Sequence, residues 1–486
     1  MAQINPRKEQ RIVYPGFSGG LNLSKPPESI ERNELTEAVN VEYSAITGAM
    51  TVRGGLFRLA EMGIADESVA ELPGLRGFIA SRAEAYPQIF TWNRTIWVLS
   101  FLSGKGEISI AEWDGEYLVA SGGKLQRLTG HQSPKLETIS GSPEFCRYVF
   151  VRSGRVGVVT SGNEIRFSAV GDCESWENDP DDDSSGQYVE IGYKDGMRID
   201  AVIQLSRDLI VFQSPENEPD KGIIYRLTGD YPEWTVLEAA HNTGTYSQRS
   251  VAAVGNDVYY AGVTGLMSLS AVMSYGEIAV QRPDVKVNAA LSRLMSNDAE
   301  VWNIPVKSQL WVKPQKLSRE VWVYDYSGGI WTMYEFPGEV IYASGSKDTV
   351  YVLIGNIVYR LAEWKTEDDY GNGSREIRAR MRMGTLLTGN QVLCRRGFVS
   401  FRVQPQSRAE LRLGKFRMSF SHEVTEKTAY EDTECAYEDE SEIIPSEKVI
   451  TSRRMCLVRD WTLTPEVEMT GGGCALSTMG LDIAEV

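Results

Sequence analysis

The chain has 486 residues, of which 42% are hydrophobic and 24% charged, the composition of a globular protein long enough for two or three domains. Its formal charge of −16 argues against a surface that wraps duplex DNA, because such a surface needs basic residues to displace the counterions of phosphate. Glycine (45 residues) and aromatic residues (10%) favour strands that are joined by tight turns.

The start of the chain and its cysteines bear on where the protein folds. The opening sequence MAQINPRKEQ lacks the apolar segment of a secretory signal. No apolar stretch approaches the ~18 residues that cross a membrane. The six cysteines include no C-x-x-C pair, so we expect reduced thiols. These features predict folding in a cytoplasm and no membrane span.

A glycine-rich segment near the N terminus fits a catalytic pattern that its surroundings do not support. Residues 16–20 read G-F-S-G-G, the G-x-S-x-G pattern that places a nucleophilic serine between a strand and a helix. Pro26 and Pro27 follow and exclude that helix, so we expect a glycine-rich turn. The best helix patterns are short and lie at 33–41, with an asparagine as N-cap, and at 287–295.

Between residues 75 and 362 the chain consists of short apolar runs bounded by turn residues. Each run has the length of a strand and is rich in β-branched and aromatic residues. Taking one run per unit places anchors near residues 97, 150, 211, 259, 311 and 351. Their spacing of roughly 40 to 60 residues is close to the ~40–50 residues of a four-stranded propeller blade. The spacing predicts a six-bladed β-propeller over 75–362, with an assembly of β-sandwiches as the alternative.

Short connections inside this region predict tight turns. The pair at 355–356 begins with glycine and joins two apolar runs, which suits a type II′ hairpin. The pairs at 153–154 and 162–163 separate three consecutive runs, which predicts a three-stranded meander.

One acidic segment has the ligand order of a calcium-binding loop. Asp179, Asp181, Asp183 and Glu190 occupy positions 1, 3, 5 and 12 of the EF-hand pattern. Position 6 is Ser184, where the pattern requires glycine, and no helix pattern flanks the segment. Two alternatives therefore stay open, a weak calcium site and, favoured over it, a solvated acidic turn.

No other group of residues marks a catalytic centre, a metal site or a cofactor. The three histidines, His131, His241 and His422, have no histidine or cysteine at ligand spacing. No G-x-x-x-x-G-K-[ST] phosphate-binding sequence occurs. The 66 acidic residues allow many carboxylate pairs, none of which is marked by its context. We expect a protein without enzymatic activity and without a cofactor.

After Trp364 a charged and then glycine-rich segment predicts a linker, and the pattern changes behind it. Apolar and polar residues alternate there, which is typical of antiparallel strands with one buried face. The whole chain is therefore predicted to be mainly β, with a smaller antiparallel β domain, a sandwich or a barrel, after the propeller. The expected divisions are 1–74 (N-terminal arm and entry segment), 75–362 (propeller) and 363–486 (C-terminal domain, with a mobile acidic loop near 422–448).

The C-terminal strands carry a local excess of basic residues. From Arg375 to Arg417, eleven basic residues stand against two acidic ones. They could contact DNA phosphates or an acidic partner surface. The favoured alternative is a solvated sheet face whose arginines pair with nearby carboxylates. The candidate residues of this face are Arg378, Arg380, Arg382, Arg402, Arg412 and Arg417.

Two groups of sequence resemble the propeller-type tail proteins of tailed bacteriophages. The first group, similar to a GG-N…NE-L-x-x-A-x-N…R-x-G string in those proteins, comprises 17–22 (FSGGLN), 33–41 (NELTEAVNV) and 53–55 (RGG). The second group is similar to their central blades and comprises 163–172 (NEIRFSAVGD), Trp176, 200–202, 209–212, 224–229 and 250–258. The matches span residues 16–270, with weaker support as far as residue 362.

The resemblance implies a structural virion protein of the phage neck or tail, where it would serve as a hub, nozzle or adaptor. Such a protein is expected to form a ring of its own copies, six in number, and to dock portal, adaptor or other tail proteins. It would line or close the channel through which phage DNA passes without specific binding, and it would fold in the cytoplasm of the host bacterium. Two alternatives stay open, a receptor- or carbohydrate-binding propeller and a glycan-degrading tail enzyme.

Overall fold

The computed structural model of the chain is built mainly from β-strands, as the sequence predicts. Most strand pairs are antiparallel. The structure describes residues 9–61, 75–78, 88–92, 95–99, 108–130, 135–193, 195–272, 277–345, 349–355, 357–371, 373–403, 408–414, 416–421, 448–471 and 474–485.

The first described residues form six strands. They are β1 (Glu9–Tyr14), β2 (Gly20–Leu21), β3 (Glu34–Val39), β4 (Val41–Tyr43), β5 (Met50–Val52) and β6 (Gly55–Glu61). The helix predicted at 33–41 is wrong, because β3 occupies that segment and pairs with a C-terminal strand. The expected helix rests on the N-cap preference of Asn33, a local signal that the pairing of this segment with a neighbouring strand outweighs. A β-bulge lies between Leu35 and Glu37 of the strand.

The next strands form a series of small sheets, one after another along the chain. A three-stranded sheet contains β7 (Leu75–Phe78), β8 (Gln88–Trp92) and β9 (Thr95–Leu99). Two four-stranded antiparallel sheets follow, made of β10 (Ser109–Trp113), β11 (Glu116–Ala120), β12 (Gln126–Thr129) and β13 (Lys135–Thr138), then β14 (Tyr148–Arg152), β15 (Arg155–Val159), β16 (Glu164–Phe167) and β17 (Gln187–Glu190).

Three more units of the same kind come next. The first contains β18 (Arg198–Leu205), β19 (Asp208–Ser214), β20 (Ile223–Thr228) and β21 (Thr235–His241). The second contains β22 (Val251–Val254), β23 (Asp257–Gly262), β24 (Gly265–Val272) and β25 (Glu277–Gln281). The third contains β26 (Glu300–Ile304), β27 (Gln309–Lys313), β28 (Glu320–Asp325) and β29 (Ile330–Glu335).

The last propeller sheet takes its fourth strand from the N-terminal part of the chain. It contains β30 (Val340–Gly345), β31 (Val350–Ile354) and β32 (Ile357–Ala362), and β6 completes it as the fourth strand beside β32. Successive sheets contact one another through their first strands, from β10 to β14, β18, β22, β26 and β30, and β30 also contacts β8. Small antiparallel sheets arranged in this way form a β-propeller, so the predicted fold class is confirmed.

The anchors used to count blades fall in six different sheets, but one sheet has none. The unit from β10 to β13 lies between the anchors at 97 and 150, and its apolar runs are short and interrupted by polar residues. The number of six blades stays a prediction.

The expected turns and one of the two expected helices are present. Ile354 pairs with Ile357 across the predicted hairpin, and Gly355 has a φ of +60°. Strands β14, β15 and β16 form the predicted meander. The helix predicted at 287–295 is confirmed as α1 (Asn288–Leu294), and short 3₁₀ helices lie at Pro219–Lys221, Gln248–Ser250 and Pro305–Lys307.

The C-terminal part begins with a small hairpin and continues as two larger sheets. Its strands are β33 (Glu367–Tyr370), β34 (Gly373–Glu376), β35 (Arg378–Met383), β36 (Leu386–Val403), β37 (Arg408–Leu413), β38 (Phe416–Ser421), β39 (Lys448–Leu463), β40 (Pro465–Thr470) and β41 (Ala475–Glu485). One sheet has the order β39-β36-β41-β5-β4, with β1 beside β41. The other contributes β3-β35-β40-β37-β38, and the buried side chains of both sheets share one hydrophobic core.

This second C-terminal sheet is continuous with the propeller. Its strand β3 pairs with β29, so a single ten-stranded sheet runs from β26 to β38, with β2 beside β3. The segment predicted as an N-terminal arm at 1–74 is thus divided: β6 belongs to the propeller, whereas β1, β3 and β5 pair with C-terminal strands and β4 pairs with β5. The expected boundaries at 74 and 362 stay predictions. The acidic segment 422–447 lies outside the described residues.

Candidate functional site

The predicted calcium ligands are not gathered around one point. Asp179 accepts a hydrogen bond from the backbone N–H of Asp181, and Glu190 lies in β17 opposite Glu164. Among the described residues, no three His, Cys, Asp or Glu side chains are close enough together to hold a metal ion. The segment forms the solvated acidic turn that the sequence favours.

The predicted basic face is only partly a single surface. Arg378, Arg380 and Arg382 point to the exposed side of β35, because the residues between them are buried. Arg412 of β37 and Arg417 of β38 belong to the same sheet, and Arg417 is exposed. Arg402 lies in β36, in the other C-terminal sheet, so grouping it with these residues was wrong. The error arises because sequence alternation gives the face of a strand but not the sheet to which the strand belongs.

Carboxylates from distant parts of the chain lie among these arginines. Arg380 Nε is 3.0 Å from Glu37 of β3, and its Nη2 is 3.3 Å from Glu335 of β29. Arg382 Nε is 2.7 Å from Glu466 of β40. In the part of this sheet that the structure describes, these arginines pair with carboxylates, which is the alternative that the sequence favours.

The same pairing continues toward the edge of the sheet. Arg412 contacts Glu468 of β40 at 2.6 Å and Glu410 of its own strand at 2.7 Å, and the hydrogen bond to Glu410 raises the pKa of Arg412. Arg417 lies 3.7 Å from Glu410. We call this surface the Arg/Glu face; its residues are Glu37, Glu335, Arg378, Arg380, Arg382, Glu410, Arg412, Arg417, Glu466 and Glu468.

The sequence therefore overstated the positive charge of this face. A local excess of arginine along the chain is offset in space by glutamates that arrive on β3, β29 and β40. An interleaved surface of both signs lacks the concentrated positive potential that phosphate binding needs. It suits a protein partner with a matching charge pattern better than nucleic acid.

Two buried polar clusters hold the parts of the molecule together, and the first is centred on Arg53. Its guanidinium is fully buried and donates to Asp368 through Nη1 at 2.8 Å and through Nη2 at 2.6 Å. Nε donates to Asn40 Oδ1 at 3.0 Å, and the remaining donors reach the carbonyls of Gly54 and Glu335 at 2.9 and 3.1 Å. All five donors of the guanidinium thus have an acceptor.

The residues that bind Arg53 extend this hydrogen-bonded cluster to four strands. Asp368 of β33 also accepts the backbone N–H of Leu56 in β6 at 3.0 Å. Asn40 has a left-handed backbone with a φ of 57°, and its side chain bonds the backbone of Glu335 in β29 and of Arg378 in β35. We call Arg53, Asp368 and Asn40 the Arg53 joint, because they link the last two propeller sheets to the C-terminal part.

The second cluster is centred on Glu34. Its carboxylate accepts hydrogen bonds from Asn22 Nδ2 at 2.8 Å and from the backbone N–H of Glu31 at 3.0 Å, and lies 3.0 Å from Lys286 Nζ. Burial opposes ionisation of this group, but the Glu31 N–H, Lys286 and Asn22 together lower its pKa. Lys286 also donates to the carbonyl of Gly19 at 2.7 Å, so the N-terminal turn is tied to the segment before α1. Glu34, Lys286 and Asn22 form the Glu34 joint.

The glycine-rich segment at 16–20 is part of this second joint and forms a turn, as predicted. A Cβ at Gly19 would lie 2.4 Å from Glu34 Cγ, and Gly20 has a φ of +60°. Only glycine allows the turn to approach the carboxylate so closely.

The structure bears on two further predictions, the reduced thiols and the absence of a membrane span. Cys146, Cys173, Cys394 and Cys474, the cysteines whose side chains are described, are buried and free of disulfides. Burial raises the pKa of Cys146 and Cys474 to about 12, so neither is a reactive thiolate near neutral pH. Within the described ranges, no helix has both the length and the apolar character that a membrane span requires.

Comparison with known proteins relates the chain to others by fold. It matches no protein-family model and no curated protein. Among solved β-propeller structures, virginiamycin B lyase from Staphylococcus aureus is similar at 11% identity and a TM-score of 0.38, over 73% of this chain and 99% of that one. BamB from Moraxella catarrhalis is similar at 11% identity and 0.35, over 63% and 97% of the two chains. The WD40 propeller domain of Doa1 is similar at 11% identity and 0.36, over 64% and 97%.

Proposed function

We propose that this propeller protein is a structural component of a bacteriophage neck or tail, where copies of it form a ring on the DNA channel. The observation that carries the proposal is the ten-stranded sheet that continues from the propeller into the C-terminal part. Together with the Arg53 joint it connects the two parts through backbone pairing and a buried ion pair. Connections of this kind suit a protein whose task is to hold neighbours at fixed positions.

The residues that resemble phage tail proteins support the same proposal. In the first string, Asn22 and Glu34 form the Glu34 joint, and Asn40 and Arg53 form the Arg53 joint. Gly54 belongs with them, since a Cβ there would lie 2.7 Å from the carbonyl oxygen of Ala362. The resemblance therefore concerns how the parts are joined, which is an architectural property.

The surface charge agrees with a channel protein that does not hold DNA. The chain carries a formal charge of −16, and four arginines of its C-terminal sheet are paired with glutamates, namely Arg380, Arg382, Arg412 and Arg417. Phosphate finds little to bind on such a surface, so DNA can slide past it. The Arg/Glu face is the surface we assign to contacts with neighbouring copies or with portal, adaptor and other tail proteins.

Purified phage particles test the proposal. An antibody raised against the chain should label particles on the tail axis below the head in immunogold electron microscopy, and the chain should be found in their protein composition. Antibody against a host cytoplasmic protein provides the background level. Presence of the chain in the infected-cell lysate but not in particles would contradict a structural role.

The oligomeric state provides a second test that does not need the virion. Light scattering after size exclusion should give a mass of several 54.2 kDa chains, six in the expected ring. Reversing charges on the Arg/Glu face, with Arg380→Glu and Arg382→Glu combined, should shift the protein toward monomer. A monomer at all concentrations in the unmodified protein, alone and with particle extracts, would count against ring assembly.

A further inference from the structure

A cleft lies between the sheet β14–β17 and the sheet β18–β21, at one end of the strands. It has a volume of about 360 Å³, at the lower end of the ~300–1,000 Å³ that small-molecule sites occupy. The turn between β14 and β15, the connection from β16 to β17 and the connection from β20 to β21 form its walls. We call it the Arg152 cleft.

Two arginines form the base of the cleft, and each is only 5% exposed. Arg152 Nη2 donates to the carbonyls of Gly229 at 2.5 Å and Arg207 at 3.2 Å, while its Nε and Nη1 are buried without an acceptor. Arg155 donates to the carbonyls of Ser168, Ser185 and Asp183. Every acceptor of both guanidiniums is therefore an uncharged carbonyl oxygen.

This arrangement leaves two buried guanidiniums without a carboxylate in direct contact. Both arginines line the cleft, and neither forms an ion pair with a carboxylate in the described part of the chain. Burial lowers the pKa of each guanidinium, and the carboxylates nearby, Asp230 and Asp208 for Arg152 and Asp182 and Asp183 for Arg155, offset this only in part. Buried charges in folded proteins are normally paired, so an anion in the cleft would supply the missing partner.

The rim of the cleft carries two carboxylates, which disfavour a ligand with more than one negative charge. Asp230 accepts a hydrogen bond from Ser153 Oγ at 2.5 Å, and Asp183 also lines the cleft. These carboxylates would repel a second negative charge on the ligand. They would, however, accept hydrogen bonds from ligand hydroxyl groups.

An aromatic cluster forms the remaining wall. The ring of Trp234 packs 4.7 Å from the ring of Phe167 and 5.3 Å from that of Tyr231, measured between centroids. Trp234 and Tyr231 are only half-buried, so both keep apolar surface that faces outward. Such a surface fits the flat side of a ring-shaped ligand.

We propose that the Arg152 cleft binds a sugar acid, with the carboxylate at Arg152 and Arg155, the hydroxyl groups at Asp183 and Asp230, and the ring against Trp234. A polyhydroxylated ring with one carboxylate meets each requirement of the site. The side chain of an acidic peptide supplies the carboxylate but no hydroxyl donors, and inorganic phosphate supplies no ring. This binding function is independent of the place of the protein in a virion.

Titration of the full chain with D-glucuronic acid, followed by calorimetry and by Trp fluorescence, tests the assignment. We expect one site per chain with a Kd below about 1 mM, and binding of D-glucose and of acetate that is weaker by about tenfold or more. No measurable binding of glucuronic acid would overturn the proposal. Tighter binding of inorganic phosphate, or equal binding of N-acetylglutamate, would overturn the assignment to a sugar acid.

Substitutions distinguish binding in the cleft from unspecific electrostatic attraction. Trp234→Ala and Arg152→Lys should each weaken glucuronic acid binding by about tenfold, because lysine keeps the charge but not the planar fork of donors. Arg166→Lys, on the exposed face of β16, is the matched control and should bind like the unmodified protein. If Arg152→Lys loses the circular dichroism of the fold, Trp234→Ala decides alone, and unchanged binding by it would refute the site.

Discussion

The Arg53 joint and the Arg/Glu face are built from the same two kinds of side chain and differ in what surrounds them. Arg53 and Asp368 are 0% and 5% exposed at their side chains, whereas Arg380 and Arg382 are 47% and 46% exposed. In the joint every guanidinium donor has an acceptor, while the arginines of the face that pair with glutamates remain partly exposed to solvent. The first arrangement is a fixed part of the fold, and the second can exchange partners.

Because of the difference in burial, loss of one partner destabilises the protein strongly in the joint and only weakly on the face. A buried pair repays its desolvation only while both members are present, so removal of one leaves a charge that nothing compensates. An exposed pair gains little, since water and salt replace it at a small cost. The joint therefore serves stability, whereas the face suits the contacts with partners that we propose, and substitutions at matched positions can test this difference.

The largest effect is expected for Asp368→Asn in the Arg53 joint. It removes the charge opposite a buried arginine and replaces one carboxylate oxygen with an NH2 group that cannot accept a hydrogen bond, so unfolding in urea should show a loss of about 3–5 kcal/mol. Asp369→Asn is the matched control: this neighbour pairs with Lys365 and accepts the backbone N–H of Arg58, but its side chain is 23% exposed, so its loss should be smaller, about 1–2 kcal/mol. Equal losses in the two variants would refute the special role of the joint.

The side-chain partners in the Arg53 joint could not be predicted from the sequence. The string that contains Asn40, Arg53 and Gly54 is recognisable, yet the partner that explains it, Asp368, lies 315 residues after Arg53. The same holds for Glu37, Glu335 and Glu466 on the Arg/Glu face. Local alternation predicts which side of a strand is exposed, but it does not predict which strands become neighbours.

The fold itself was largely accessible from local patterns. Strand type, the hairpin at 355–356, the meander after Tyr148 and the helix α1 follow from residue type and spacing. Strand β3 was wrongly predicted as a helix because Asn33 is a good N-cap residue, and such a local signal does not show that the segment pairs with β35. The sheet from Ser109 to Thr138 was not anticipated because it lacks a strongly apolar central run.

A smaller but pH-dependent effect is expected for Glu34→Gln in the Glu34 joint. The pKa of Glu34 is lowered in the folded protein, so its contribution is present above the unfolded value of ~4.3 and is lost as the pH falls through the folded value. At pH 7 the variant should lose about 2 kcal/mol, and the difference should shrink below pH 4. Glu31→Gln is the control and should show neither effect, because only the backbone of Glu31 contacts the joint. A loss that stays constant from pH 7 to pH 3 would argue against an ionic role of Glu34.

A stabilising change is expected at Asp200, a buried carboxylate that has no bidentate arginine. Burial raises its pKa to about 6, even though Ser214 and Arg198 contact it. A raised carboxylate pKa means that stability is greatest below the unfolded value and falls as the pH rises through 6. Asp200→Asn should therefore be more stable than the unmodified protein by about 1 kcal/mol at pH 7.5 and equal to it near pH 4. Asp257→Asn, at a half-exposed position of β23, should leave this pH profile unchanged, and a destabilised Asp200→Asn at pH 7.5 would contradict the reasoning.

The smallest loss of stability is expected for a substitution on the Arg/Glu face. Arg382→Gln removes contacts with Glu37 and Glu466, yet the loss in unfolding free energy should be about 0.5 kcal/mol and should vanish in 1 M NaCl, where charges are screened beyond ~3 Å. The loss in Asp368→Asn should persist at the same salt concentration, because no solvent reaches that pair. If Arg382→Gln costs as much as Asp368→Asn and resists salt, the face is a fixed part of the fold. It would then not be free to exchange its glutamates for the charges of a neighbouring subunit, and the docking role assigned to it would have to move elsewhere on the molecule.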